Sequence, residues 1–135
     1  MIMSKLKTAS NPPTLPPPSG RFSQIVKVRA NTLLFIAGQT ASDKNGNIVG
    51  IGDLKAQAEQ AFLNLKAALD AGGATFDDLV KMNTYVTDIK QYRSEVRGVR
   101  DKYITKDPPV GTLVEVSSLA RPELLIEIEG VAVLD

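Results

Sequence analysis

Short β-prone runs along this chain give way twice to stretches whose apolar residues fall three and four positions apart. Ser23 to Arg29 and Leu33 to Gln39 are rich in branched and apolar residues, with Asn31 at the turn between them, and they predict two antiparallel neighbours. Asp43-Lys44-Asn45-Gly46-Asn47 carries an Asn-Gly turn signal, and Ile48-Val49 follows as a short extended segment. Leu54, Ala58, Ala61, Phe62, Leu65, Ala68 and Leu69 then share one helical face, with Asp53 placed to cap its start and Gly72-Gly73 to end it. Leu79 to Thr87 returns to strand character. Asp88 opens a second helix with the stripe Ile89, Tyr92, Val96, Val99 and Tyr103, and Pro108-Pro109 closes that unit. Thr112 to Ser117 and Leu124 to Val133 are the last two strands, so the predicted order is ββαβαββ.

This order describes an α+β domain: a mixed sheet with two helices on one face. Its other face then needs cover, because Leu113, Ile126 and Ile128 are expected to project there and a small domain rarely exposes such a cluster. Self-association is the expected answer. The chain of 135 residues fits one domain, over 20–135. Residues 1–19 hold five of the eight prolines and read as an extended arm lying across the domain or a neighbour.

Composition narrows the chemistry. Lys+Arg (16) and Asp+Glu (15) leave a net charge of +1, which gives no field for nucleic acid or an anionic membrane. The apolar runs are strand-length, well below the ~20 residues of a membrane helix, and no secretory signal opens the chain. A cytoplasmic protein is expected. With no His and no Cys, the chain cannot build a Ser-His-Asp triad, a Cys nucleophile, a His-rich zinc site or a disulfide. Carboxylates, hydroxyls, Lys, Arg and backbone groups are left for any catalysis. Neither a metal nor another cofactor is expected. The second helix also carries Arg93, Arg97, Arg100 and Lys102, a basic face whose ordinary role is to meet solvent.

Several segments resemble the RidA/YjgF family. Gly20-Arg21-Phe22-Ser23-Gln24 is similar to the family's Gly-Pro-Tyr-Ser-Gln, and Leu33 to Gln39 to its strand ending in Ser-Gly-Gln. Gln57-Ala58, Asn64-Leu65-Lys66-Ala67 and Val80 to Asp88 also match. Pro108 to Glu129 resembles the closing signature Pro-x-Arg-Ser/Thr-x-Val-Glu-Val followed by Val/Ile-Glu-Ile-Glu. The resemblance implies a chorismate-mutase-like fold, a homotrimer and a small-molecule ligand in each cleft between subunits. It also implies hydrolysis of amino-acid-derived enamines and imines to ammonia and a 2-oxo acid.

The site that the resemblance implies is depleted here. Glu127 falls at the carboxylate that places water, and Gly38 is kept, but the cleft Tyr becomes Phe22, the Asn falls at Val96 and the carboxylate-binding Arg is Gly111. Thr112 keeps a hydroxyl beside the vacant position, and Arg21, Arg97 or Arg121 can enter from elsewhere in the chain. Glu115 and Glu129 are expected to face solvent. Two functions stay open: a divergent hydrolase of C=N bonds with little activity on the usual 2-imino acids, and a non-catalytic trimer that binds a small metabolite. A nuclease role ranks below both, given the charge balance, the few aromatics and the absence of His.

Overall fold

A computed structural model describes residues 5–135. Six strands and three α-helices form there around one core. They are β1 (Leu6–Ser10), β2 (Ile25–Arg29), β3 (Thr32–Gln39), α1 (Leu54–Ala71), β4 (Leu79–Val86), α2 (Ile89–Glu95), α3 (Arg97–Tyr103), β5 (Leu113–Glu115) and β6 (Ile126–Leu134). The fold is α+β with a mixed sheet in the order β3-β6-β4-β5, in which β4 and β5 run parallel and the other pairs antiparallel.

The strand pairing differs from the expected hairpin. β2 pairs with β1, Leu6 opposite Arg29, while β3 pairs with β6 in the main sheet. The Pro-rich segment therefore supplies a strand of its own before the prolines begin. A run of β-prone residues shows that a strand forms, but its partner is chosen by contacts distant in sequence.

Alternation sets the two faces of the sheet. Met82, Thr84 and Val86 of β4 and Ile126 and Ile128 of β6 are buried toward the helices, against Leu54, Ala58, Phe62, Leu65 and Leu69 of α1. Ile126 and Ile128 thus belong to the core and not to the uncovered face, and Leu113 also turns toward the helix side. The uncovered face carries Leu33 and Phe35 instead, 57% and 73% exposed, with Lys81, Asn83, Tyr85, Glu127, Glu129 and Val131 beside them.

Local signals in the sequence account for the helix ends. The Asp53 carboxylate accepts from the Ala56 N–H at 3.0 Å, and Gly72 and Gly73 close α1, Gly73 at a φ of 79° that suits glycine. The Asp88 carboxylate accepts from the N–H groups of Lys90 and Gln91. The second helix is not continuous: it breaks at Val96 into α2 and α3. Val96 is wholly buried at the junction, and Val99 of α3 continues the buried stripe into the same core.

Candidate functional site

A cavity of about 370 Å³ opens on the helix side of the sheet, where β5 forms its edge. Its floor comes from Met82 and Thr84 of β4 with Gly111, Thr112 and Leu113. The segment Ser19-Gly20-Arg21-Phe22 closes one side. Tyr92, Arg97, Arg100 and Asp101 project from α2 and α3 on the other.

The floor is held by ladder bonds with one interruption. The Met82 N–H donates to the Val110 carbonyl (2.9 Å) and the Thr84 N–H to the Thr112 carbonyl (2.9 Å), while the Thr112 N–H turns to the Asn83 side chain (3.0 Å). Gly111 sits between these bonds, with its Cα against the Met82 backbone. A Cβ built there would overlap the Met82 carbonyl oxygen, so this position requires glycine in the present backbone.

The side walls are fastened by guanidinium groups. Arg97 donates to the Ser19 carbonyl at 2.5 Å and Arg100 to the Arg21 carbonyl at 2.7 Å. Arg21 turns back to Asp101 at 3.3 Å and to the Ile104 carbonyl at 3.2 Å. Burial pushes the Arg100 guanidinium below its ordinary value, and burial raises the Tyr92 phenol beside it. Asp101 is the single carboxylate on the cavity wall, facing three arginines.

The sequence-predicted site residues fall into separate groups in one chain. Phe22, Gly111 and Thr112 line the cavity together. Val96 does not: it is core, and its neighbour Arg97 lines the cavity instead. Gly38 and Glu127 meet each other on the uncovered side, where a Cβ at Gly38 would overlap the Glu127 carboxylate. Neither is on the cavity wall. Of the arginines considered from sequence, Arg21 and Arg97 reach the cavity, whereas Arg121 donates to the Gly46 carbonyl (3.0 Å) and holds the Asn-Gly turn.

Glu129 is half-buried with partners, while Glu115 has a partner and is still exposed, as expected. Glu129 accepts from the Tyr85 hydroxyl at 2.5 Å and from Asn83 at 3.3 Å, and Glu115 accepts from the Ile89 N–H at 3.1 Å. Sequence reasoning named Arg97 among the arginines able to enter the site, but gave Arg100 only a solvated face. Their three-residue spacing beside buried Tyr92 was the available signal. Among the described residues no cluster of acidic groups is suited to a metal ion, and no helix is long and apolar enough to cross a membrane.

Comparison with known proteins agrees with this architecture. The family model described as Endoribonuclease L-PSP matches residues 13–134. A RutC family protein of Pyrococcus horikoshii is 40% identical over 118 residues, 87% of this chain and 90% of that protein. A protein of Dermatophagoides farinae named 2-iminobutanoate/2-iminopropanoate deaminase is 30% identical over 123 residues, 91% of this chain and 93% of its own. Among solved structures, a Rid family protein of Yersinia pestis described as of unknown function superposes with a TM-score of 0.87 at 38% identity, over 95% of this chain and 98% of that one. RidA from the Antarctic bacterium Psychrobacter sp. PAMC 21119 gives 0.69 at 31% identity, over 88% and 93%. The chain is a member of the endoribonuclease L-PSP family, the RidA/YjgF group of proteins.

Proposed function

We propose that this chain is a cofactor-independent hydrolase of C=N bonds, acting on a small imine or enamine in clefts completed between the subunits of a homotrimer. The observation that carries the reading is the cavity itself. Phe22, Gly111 and Thr112 converge on it in the positions that the family resemblance implies, beside a sheet edge with free space of ligand size. The deaminase from Dermatophagoides farinae supports the same chemistry.

In this reading Glu127 of a neighbouring copy faces the cleft and holds the attacking water. Its carboxylate takes a proton as the water oxygen bonds to the imine carbon, and the nitrogen leaves as ammonia while the carbon becomes a carbonyl. The overall change, imine plus water to carbonyl plus ammonia, needs no oxidant and no metal. A negative charge at that place also favours the developing iminium. Gly111 brings no guanidinium and Phe22 no hydroxyl, so turnover of the smallest 2-imino acids is expected to be slow.

The test is ammonia release from an imine generated in situ by an amino-acid oxidase. Glu127→Gln keeps the shape of the side chain and removes its charge, and turnover should fall roughly 10²–10⁴-fold with the melting temperature unchanged. An equally active Glu127→Gln protein would sink the proposed role. One observation favours a second reading, a trimer that only binds a metabolite: Glu127 lies outside the cavity of its own chain. Under that reading, no imine releases ammonia faster with the protein than without it.

A further inference from the structure

Three guanidinium groups reach one cavity, and only one carboxylate answers them. Arg21 is paired with Asp101, but neither Arg97 nor Arg100 makes an ion pair with any described residue. Arg97 spends one N–H on the Ser19 carbonyl, and Arg100 donates to the Arg21 carbonyl. A guanidinium carries five donors in a planar fork, so the remaining donors of the exposed Arg97 are open to water and to a ligand in the cavity.

Arg100 is half-buried, and holding its charge without a counter-charge costs free energy that an anion arriving in the cavity offsets. The opposite wall is apolar, formed by Phe22, Met82 and Leu113. A ligand that satisfies both walls has a charged end and a hydrocarbon body.

From this geometry we infer that Arg97, with Arg100 behind it, is the carboxylate-recognition site of this protein, and that its ligand is a carboxylate with an apolar side chain larger than a methyl or ethyl group. The anion-binding fork thus comes from α3 and not from the segment before β5, where Gly111 is packed too closely against the Met82 carbonyl to carry a side chain. The inference rests on the reading of this cavity as the substrate site and adds what the substrate is. A bidentate fork suits a carboxylate, which a single ammonium holds with less orientation.

Calorimetric titration with 4-methyl-2-oxopentanoate, a stable 2-oxo acid of the expected size, tests the assignment. The wild-type protein should bind the acid, and its uncharged amide at least tenfold more weakly. Arg97→Met should weaken the acid tenfold or more and leave the amide unchanged, with Arg97→Lys between the two. Arg97 is exposed at the surface, and an unchanged melting temperature certifies that the variants fold. Equal binding of acid and amide, or an Arg97→Met protein that binds the acid as wild type does, overturns the inference. Ammonia release distinguishes this from the hydrolase reading. Arg97-dependent binding without turnover of the matching imine keeps the recognition site and defeats the hydrolase. Turnover with kcat/KM unchanged in Arg97→Met does the reverse.

Discussion

Gly111 is where the sequence and the structure give different reasons for the same residue. In the sequence it reads as a lost arginine, which invites the idea that Gly111→Arg restores the family site. In the fold it is a point of contact between two backbones, and any Cβ there meets the Met82 carbonyl oxygen. Gly111→Arg is therefore expected to lower stability by about 1–3 kcal/mol, the usual range for overpacking, and to leave ammonia release no faster. Thermal denaturation measures the first and the coupled oxidase assay the second. A variant that melts with wild type would show that β5 shifts freely. Tyr85 is a second residue whose role only the fold reveals. Its hydrogen bond to the Glu129 carboxylate, with burial second, raises the phenol above its ordinary value. A raised value means that the folded state favours the protonated phenol, so its contribution is complete below about pH 10 and is lost as pH rises through the folded value. Alkaline unfolding followed by circular dichroism should fall less steeply above pH 10 in Tyr85→Phe than in wild type. Part of the slope persists, because burial raises Tyr92 in the same direction.

Helix ends were legible from side-chain chemistry, since caps act over three residues and need no knowledge of the rest of the fold. Asp53 and Asp88 both accept from backbone N–H groups of the first turn, as their positions before the apolar stripes predict. Asp88→Ala removes acceptors for Lys90 and Gln91 and should cost about 1 kcal/mol in urea unfolding, in the usual range for an N-cap. A loss below a few tenths of a kcal/mol would mean that water replaces the carboxylate fully. The break at Val96 was not legible. Ile89, Tyr92, Val96, Val99 and Tyr103 fit one continuous stripe, and nothing in that spacing separates a straight helix from two helices meeting at a buried valine. The same limit explains the strands. β2 and β3 are adjacent in sequence and β-prone, but β3 is bonded to β6, about a hundred residues away, and β2 to the segment before the prolines. Elements came from local pattern, whereas the partners of those elements, and hence the arrival of Arg97 at the cavity, came from packing.

At the scale of the molecule, the need for cover on one side of the sheet was visible in the sequence, but the residues assigned to it were not. Alternation identifies two faces without saying which one meets the helices, and here Ile126 and Ile128 went inward while Leu33 and Phe35 stayed outside. Phe35 is 73% exposed, a large aromatic surface on the uncovered sheet face, which also carries the half-buried Glu127 and Glu129. Such a face suits a contact with further copies of the chain, since stable interfaces bury about 1,200–2,000 Å² around aromatic anchors. Light scattering should give three times the mass of one chain. Phe35→Glu should give the mass of one chain with its circular dichroism retained, because a side chain already in water contributes little to the fold it stands on. A Phe35→Glu protein that stays trimeric would move the interface elsewhere. The dissociated variant also separates two roles for Glu127. If the carboxylate serves the cleft of a neighbour, ammonia release disappears with the trimer while binding of the 2-oxo acid through Arg97 falls much less. If the monomer still turns over the imine, Glu127 acts within its own chain or not at all, and Glu127→Gln in the Phe35→Glu background decides which.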